Sequence, residues 1–297
     1  MRICSLLPSA TEIVAALGLA DELVGVSDEC YWPPEVRDLP VVSATRIETA
    51  SLSSMAIDRA VRDALSRGGS LYVVDAELIE TLAPDLILTQ DLCAVCAVSS
   101  QQVGALCSVD AENVSLDAHT IAEIEHGIIA LAERLSVSAR GREVVARMQE
   151  TIAAVQRTVE GAPVRRVFVA EWLDPPYAAG HWVPEMVTLA GGKEPLGRAG
   201  APSHPVSWEA VTAVQPELVV AAPCGFDHTR AAAEAQPLDL ACRVVAVDAN
   251  SYYARPAPRI ADGVAQLAFL IHPERAPDPG LPYIELPPAA VGPAARR

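Results

Sequence analysis

Apolar residues fall into two kinds of run along this chain. Some runs are short and continuous, such as "LIL" at 86–88 and "LVV" at 218–220, and each follows a proline and an acidic residue. Continuous aliphatic runs of this length are typical of parallel strands that are covered on both faces. Other apolar residues recur every three or four positions, in 121–135 and again in 144–159, which is the spacing of amphipathic helices. The pattern therefore predicts an α/β fold.

The same order of elements occurs twice. The segment "LIETLAPDLILTQDLC" (78–93) aligns with "WEAVTAVQPELVVAAPC" (208–224), and each reads as a short helix, a buried strand and a cysteine just beyond the strand. Likewise "TEIVAALGL" (11–19) aligns with "PEMVTLAGG" (184–192), and a predicted strand precedes each segment. We therefore predict two similar parallel-sheet α/β lobes joined by one long helix, with a ligand cleft between the lobes.

These patterns also predict domain boundaries. We expect an N-terminal lobe, a linking helix, a C-terminal lobe and a Pro-rich tail, at residues 1–136, 137–162, 163–275 and 276–297. The tail is expected to drape over the surface or fray, because terminal Pro-rich segments are rarely tied down. The first helix is predicted at Thr11 to Leu19, with Ser9 or Thr11 as its cap and Gly18 as its end.

Charge and hydropathy exclude two classes of partner. The formal net charge is −16 and Lys193 is the single lysine, so the clustered cations that bind nucleic acid or an anionic membrane surface are lacking. No run of about 18 apolar residues is present, which predicts no membrane insertion. The start, "MRICSLLPSATEIVAALGL", does not have the pattern of a secretory signal. We therefore expect a cytoplasmic protein whose seven cysteines are reduced.

The loops predicted to follow strands are rich in aromatic residues. Ligands of open parallel sheets bind beyond the carboxyl ends of the strands, so these loops are candidates for a binding site. Aromatic side chains in loops, above an aliphatic core, favour stacking on a flat and partly apolar ligand. The alternative, that they fill a lobe interface without a ligand, stays open. The aromatic loop residues are Tyr31, Trp32, Trp172, Tyr177, Trp182, Tyr252 and Tyr253.

Several of these segments carry a family resemblance. The opening "SLLPSATEIVAALGL" and the "PDLIL" strand resemble the vitamin B12 and iron-siderophore binding proteins, which are substrate-capturing subunits of ABC uptake transporters. The resemblance covers residues 1–273. It is strongest for a cobalamin-binding branch, at "EWLDPP", "GHWVPE", "APCGFD" and the Tyr/Arg/Pro pattern of 248–259.

The resemblance implies a corrinoid or an iron chelate held between two rigid lobes, and an ABC permease as partner. Trp32, Trp172, Trp182 and Tyr252 would then stack on the ligand, and His181 would make an axial or edge contact. The full predicted ligand-binding set is Tyr31, Trp32, Trp172, His181, Trp182, Tyr252 and Arg255.

The cysteines support two alternatives. Cys93 and Cys96 form a C-x-x-C pair at a strand end, just before a predicted helix that Ser99 or Ser100 can cap. A helix N-terminus lowers the pKa of a nearby thiol, so a dithiol oxidoreductase is one alternative.

The internal repeat favours a shared site over a local one. Cys93 and Cys224 occupy equivalent positions after strands of opposite lobes, and Cys30 follows another strand of the first lobe. Together with Cys96 they form a four-thiolate set suited to an iron-sulfur cluster or to zinc. An iron-sulfur or metal protein, with or without enzymatic activity, is therefore the second alternative.

No catalytic signature accompanies these residues. The sequence has no nucleophile elbow, phosphate-binding glycine loop or H-E-x-x-H motif. The sequence thus favours a binding protein over an enzyme. The leading hypothesis is a cytoplasmic ligand-binding protein, similar to cobalamin-binding proteins, that holds a corrinoid or another metal-centred ligand between two lobes.

Overall fold

A computed structural model describes the chain at residues 1–67, 70–91, 98–107, 109–236, 238 and 240–287. Its internal contacts divide the chain into two compact units. Unit 1 contains Met1–Gln149 and Arg255–Pro258, and unit 2 contains Glu150–Ala254 and the chain from Arg259 onward. The sequence places the lobe boundaries at the ends of the linking helix, whereas the contacts place the first change of unit inside it.

Unit 1 is a sheet with helices. Its sheet has the strand order β4-β3-β2-β1-β5-β6 among the described residues, and all neighbours are parallel except β3 and β4. The strands are β1 Ile3–Ser5, β2 Leu23–Ser27, β3 Val41–Thr45, β4 Tyr72–Val74, β5 Leu86–Thr89 and β6 Glu112–Ser115. The helices are α1 Pro8–Ala16, α2 Ser54–Ser66, α3 Ala76–Leu82, α4 Ser100–Leu106 and α5 Ile121–Arg134, with 3₁₀ turns at Ala20–Glu22 and Pro34–Asp38.

One long helix belongs partly to unit 1 and partly to unit 2. Helix α6 runs over Ser138–Val159, or about 33 Å at 1.5 Å per residue. It occupies the segment in which the apolar spacing predicts a long helix. The contacts assign residues up to Gln149 to unit 1 and those from Glu150 to unit 2.

Unit 2 has a mixed sheet whose central strands β7, β11 and β12 are parallel and whose outer strands β8, β10 and β13 pair antiparallel. Its described strands follow the order β10-β8-β7-β11-β12-β13, and β9 also pairs with β7. The strands are β7 Arg165–Leu173, β8 Pro176–Ala178, β9 Gly192–Lys193, β10 His204–Pro205, β11 Leu218–Ala221, β12 Arg243–Val247 and β13 Tyr283–Glu285. The helices are α7 Val183–Leu189, α8 Trp208–Ala213, α9 His228–Ala235, α10 Ala249–Tyr252 and α11 Ile260–Ile271.

The cores sit where the sequence places them. The aliphatic runs "LIL" and "LVV" form β5 and β11, and every residue of both strands is buried. In unit 2, β11 lies between β7 and β12 as their parallel neighbour, so helices cover both of its faces. Because β7, β11 and β12 are parallel, their carboxyl ends lie at the same edge of the sheet.

The first helix differs from its prediction. Helix α1 begins at Pro8, three residues before the predicted start, and Leu7 is its N-cap without a side-chain hydrogen bond. Proline suits the first turn because its missing N–H would have no helical partner there. Thr11 is therefore buried inside the helix and does not cap it. The predicted end is correct, since Gly18 has a φ of 71° and follows the C-cap.

The C-terminal tail contributes to a sheet. Residues Tyr283–Glu285 pair antiparallel with β12, so part of the segment expected to drape or fray is an edge strand. Arg243 and Glu285 form an ion pair across this edge, with Nε and Oε1 2.9 Å apart. Within the described residues, no helix is both long and apolar enough to cross a membrane.

Candidate functional site

Three loops of unit 2 meet at one edge of its sheet. The strands β7, β11 and β12 are parallel, so their carboxyl ends point the same way. The amide of Cys224, after β11, donates to the carbonyl of Glu171 on β7 at 3.1 Å. The amide of Asn250, after β12, donates to the carbonyl of Phe226 at 3.2 Å. We call the loops after these strands, with the start of α7, the unit 2 loop surface.

Trp182 is a structural support within this surface. It is only 5% exposed, and its Nε1 donates to the carbonyl oxygen of Tyr253 at 2.8 Å. Tyr253 is itself 1% exposed, and its hydroxyl donates to Oε1 of the buried Gln266 at 2.8 Å. Burial raises the pKa of Tyr253, because the phenolate form would lose its solvation. Trp182 therefore anchors the start of α7 and has little ring surface left for a ligand.

Trp172 presents more of its ring. It lies near the end of β7, is half-buried, and makes an edge contact with Phe226 at 5.4 Å between ring centroids. Phe226 is buried, and the guanidinium carbon of Arg230 lies 3.8 Å from its centroid. The buried ring fixes the angle of Trp172, so this indole is a rigid platform on the unit 2 loop surface.

His181 has a backbone conformation that few residue types adopt. Its φ of 50° lies in the left-handed region, where residues other than glycine, asparagine and aspartate are rare. Its amide donates to the carbonyl of Ala201 at 2.7 Å, and its carbonyl accepts from the amide of Gly200 at 2.9 Å. A Cβ at the preceding Gly180 would lie 2.3 Å from the backbone nitrogen of Ser203. These contacts hold the half-buried imidazole beside Trp182, with the ring centroids 5.7 Å apart.

Tyr252 is the remaining predicted ligand-binding residue of unit 2. It ends α10, is half-buried, and has the guanidinium carbon of Arg259 5.5 Å from its ring centroid. Burial raises the pKa of Tyr252, and the charge of Arg259 partly opposes this shift. The phenol is therefore neutral at physiological pH.

In unit 1, two arginines flank the predicted Tyr31. The guanidinium carbon of Arg255 lies 4.3 Å from the ring centroid of Tyr31, and that of Arg37 lies 5.8 Å away. Arg255 is only 7% exposed, and its Nη2 donates to the carbonyl of Glu29 at 3.1 Å. Arg255 therefore acts as a support for the loop that carries Tyr31. The neighbouring Trp32 is 43% exposed.

The predicted cysteine ligands have different surroundings. Cys30 is 4% exposed, and its Sγ lies 3.1 Å from Oγ1 of Thr11, which donates to Oγ of Ser5. Burial raises the pKa of Cys30 to about 11, with the Thr11 contact acting in the opposite direction. Cys224, in contrast, is exposed.

The remaining two thiols of the set, Cys93 and Cys96, lie outside the described residues. Among the residues that are described, no group of three or more His, Cys, Asp or Glu side chains is placed to hold a metal ion. The four-thiolate site therefore stays a prediction. The predicted serine cap is confirmed, because Ser99 caps α4 in a capping box with Gln102.

Sequence reasoning missed the residues that support the aromatic rings. Phe226 contacts Trp172, and Arg230 lies over the ring of Phe226. Arg37 lies beside Tyr31, and Arg259 lies beside Tyr252. Basic residues are the minority in this chain of net charge −16, so arginines close in sequence to the loop aromatics could have indicated supports for those rings. Phe226 could also have been found, because it lies in the quoted loop "APCGFD".

Two α/β units whose central strands are parallel, with aromatic residues in the loops at the strand ends, are typical of binding proteins built from two α/β lobes. Residues 3–236 match the family model described as periplasmic binding protein. Because that match spans most of the chain, the protein belongs to the periplasmic binding protein family. The predicted fold class is thereby confirmed. A search of the curated proteins finds no match.

Solved structures of periplasmic binding proteins have the same fold as this chain. The chain is similar to the periplasmic vitamin B12 binding protein of Vibrio cholerae, with 25% identity and a TM-score of 0.62 over 90% of this chain and 94% of that one. A periplasmic heme binding protein from Pseudomonas aeruginosa has 21% identity and a TM-score of 0.67, over 97% and 99% of the two chains. A periplasmic heme-binding protein from Roseiflexus has 21% identity and a TM-score of 0.65, over 92% and 98%. The last two similarities show the fold alone.

The two cysteine-based alternatives gain no support from these comparisons. The matched family is one of binding proteins, and the three similar structures are named for vitamin B12 or heme binding. The iron-sulfur and dithiol hypotheses therefore depend on the cysteine spacing alone.

Proposed function

We propose that this protein binds a corrinoid, and that Trp172 on the unit 2 loop surface is its principal aromatic contact. The observation that carries the proposal is the half-buried indole of Trp172, fixed by the buried ring of Phe226 on the same surface as His181. The similarity to a periplasmic vitamin B12 binding protein, at 25% identity over 90% of this chain, supports the choice of ligand.

A corrinoid suits the chemistry of these side chains. Its ring is flat and partly apolar, so the face of Trp172 can stack on it, and a fixed indole loses little rotamer freedom on binding. An imidazole can ligate the central metal or donate to an amide at the ring edge. The anchored Trp182 and Tyr253 hold the loops that carry these contacts.

Heme is the second candidate. The imidazole of His181 favours it, because histidine is a common axial ligand of heme iron. Two similar structures are named as heme-binding proteins, although their identity of 21% supports only the shared fold. Heme and corrinoid would use the same indole platform, so the two ligands must be compared directly.

The cellular location and the partner are further proposals. A cytoplasmic location is supported by the seven cysteines, since an odd number cannot close into a full set of disulfides. An ABC permease as partner is supported by the family to which the chain belongs. Fractionation of native cells, followed by detection of the protein in cytoplasm, periplasm and membranes, tests both.

Calorimetric titration tests the ligand. Wild-type protein is titrated with cyanocobalamin, dicyanocobinamide, hemin and a ferric catecholate chelate, and we expect the tightest binding for one of the two corrinoids. Tightest binding of hemin would select the second candidate. No detectable heat or saturable binding with any of the four would overturn the proposal.

The chain offers a matched control for the indole. Trp172 and Trp208 are both half-buried, and each makes an edge contact with a buried phenylalanine, at 5.4 Å and 6.2 Å. Trp208 lies at the start of α8, which is not one of the segments that define the unit 2 loop surface. We expect Trp172→Ala to weaken corrinoid binding by about 30-fold, equivalent to about 2 kcal/mol, and Trp208→Ala to leave it unchanged.

A further inference from the structure

The residue before Trp172 has an irregular place in the sheet of unit 2. Strands β7 and β8 pair antiparallel, and Ala170 lies opposite Ala178. The next pair is Trp172 with Tyr177, so Glu171 is the extra residue of a β-bulge. Bulges are common beside functional sites, where they redirect a side chain. This bulge lies at the carboxyl end of β7, at the edge of the sheet that carries the unit 2 loop surface.

Hydrogen bonds hold both the backbone and the side chain of Glu171. Its carbonyl accepts from the amide of Cys224 at 3.1 Å, which connects it to the loop after β11. Its Oε2 accepts from the amide of Gly180 at 3.2 Å, and the side chain is half-buried. The carboxylate is therefore part of the unit 2 loop surface. Trp172 follows Glu171 in the sequence, and His181 follows the glycine that donates to its carboxylate.

A carboxylate at this place favours one kind of ligand edge over another. An ionised carboxylate only accepts hydrogen bonds, and its two oxygens can accept several. Primary amides donate N–H groups to it, whereas a second carboxylate offers no donor and repels it. The edge of a corrin ring carries amides, and the edge of heme carries propionate groups. Discrimination of this kind is strong, because the wrong ligand leaves desolvated polar groups unpaired.

Two cations near the same surface contact aromatic rings. The guanidinium carbon of Arg230 lies 3.8 Å from the ring centroid of Phe226, and that of Arg259 lies 5.5 Å from that of Tyr252. Both arginines therefore support rings of the loops. The charged residue next to Trp172 in the sequence is Glu171. A ligand that stacks on this indole thus lies close to a negative charge.

We propose that Glu171 determines ligand specificity, by selecting a flat ligand whose edge carries amides over one whose edge carries carboxylates. The proposal rests on the proposed function, because the ligand must stack on Trp172. It deepens that function by naming the residue that separates corrinoids from heme. Glu171 accepts N–H groups of the bound amides. The bulge and the bond to Gly180 hold its carboxylate in place before the ligand arrives, which lowers the cost of binding.

Two corrinoids with the same ring and different edges test the proposal. Calorimetric titration compares dicyanocobinamide, whose edge carries amides, with dicyanocobyrinic acid, in which carboxylates replace those amides. We expect wild type to bind the amide form about 100-fold more tightly, because the acid form loses N–H donors and adds repulsion. Glu171→Gln keeps an acceptor oxygen for Gly180 and removes the charge. It should reduce this preference about tenfold and leave the unfolding temperature unchanged.

A matched carboxylate provides the control. Glu217 also accepts a backbone amide, that of Arg166 at 2.9 Å, but it lies at the amino ends of β7 and β11. Glu217→Gln changes the net charge by the same amount and should leave the preference unchanged. Trp172→Ala should weaken the binding of both corrinoids alike. In wild type, added salt should narrow the preference, because salt screens the repulsion.

Failure of this inference can be told from failure of the proposed function. If Glu171→Gln binds corrinoids with the same preference as wild type, the role of Glu171 is overturned and the corrinoid function stands. Equal affinity of wild type for the two corrinoids would overturn the role of Glu171 without the need for a variant. If neither corrinoid binds to wild type, the proposed function and this inference both fail.

Discussion

The two units carry their aromatic loop residues in different ways. In unit 2, rings are tied to the core, since Trp182 bonds the buried Tyr253 and Trp172 contacts the buried Phe226. In unit 1, the ring of Tyr31 is flanked by the guanidinium groups of Arg37 and Arg255. Buried rings therefore support Trp172 and Trp182 in unit 2, whereas two guanidinium groups support Tyr31 in unit 1.

This difference separates supporting residues from contact residues. Trp182 and Arg255 were both predicted to touch the ligand, and both are at least nine-tenths buried with hydrogen bonds to backbone carbonyls. Trp172 and His181 are half-buried and keep part of their surface for a partner. Substitutions of the first pair should therefore change stability, and substitutions of the second pair should change binding.

The largest expected effect is on the stability of unit 2. Trp182→Ala removes a buried indole and leaves the carbonyl of Tyr253 without its donor, so we expect a loss of about 4 kcal/mol in the free energy of unfolding. Tyr253→Phe removes only the hydroxyl bond to Gln266 and should cost about 1 kcal/mol. Chemical denaturation measures both. Equal losses for the two variants would contradict the supporting role of Trp182.

Unit 1 should show the same distinction between two arginines. Arg255→Ala removes a buried guanidinium with a hydrogen bond to Glu29, and we expect a loss of about 2 kcal/mol. Arg37→Ala acts on the same ring of Tyr31 from an exposed position, so it should cost about 0.5 kcal/mol or less. Thermal unfolding of the two variants measures the difference. The assignment fails if Arg37→Ala is the more damaging change.

A smaller effect is expected at His181. Because its φ is 50°, His181→Asn and His181→Gly both tolerate the backbone, whereas alanine would add strain. Both variants should keep the unfolding temperature and lose about 1 kcal/mol of ligand binding, or about fivefold in affinity. His119→Ala, at an exposed histidine before α5, is the control. Unchanged affinity in both His181 variants would exclude this imidazole from the contact.

Much of the fold could be predicted, because strands β5 and β11 and helix α6 follow directly from apolar spacing. The predicted start of α1 was wrong although Pro8 is itself a first-turn signal. The strand at Tyr283–Glu285 could not be predicted, because it depends on pairing with β12. Loop aromatics identified the candidate surface. Their division into supports and contacts depends on burial and hydrogen bonding, which composition does not encode.

The smallest expected effect is a difference in thiol reactivity between Cys30 and Cys224, which the sequence places in one predicted metal-binding set. Burial raises the pKa of Cys30 to about 11, so this thiol should resist alkylation by iodoacetamide at pH 8, while the exposed Cys224 should react. An unfolded thiol ionises near pH 8.5, at roughly its usual pKa. Between that pH and about 11 the unfolded state loses a proton that the folded state keeps, so Cys30 makes stability fall as pH rises.

Peptide mass spectrometry after labelling gives the extent of reaction at each thiol. Cys224→Ser is the control that assigns the fast reaction. Rapid labelling of Cys30 at pH 8 would contradict its buried position and would revive a role for its thiolate.

The most direct test of the central distinction is the unfolding temperature of wild type, Trp172→Ala and Trp182→Ala, each with and without cyanocobalamin. Ligand that binds only the folded state raises this temperature. We predict that Trp172→Ala unfolds at nearly the wild-type temperature without ligand and loses most of the ligand-induced rise, whereas Trp182→Ala unfolds several degrees lower. A Trp172→Ala protein that keeps the full rise, or that is as unstable as Trp182→Ala, would contradict the account.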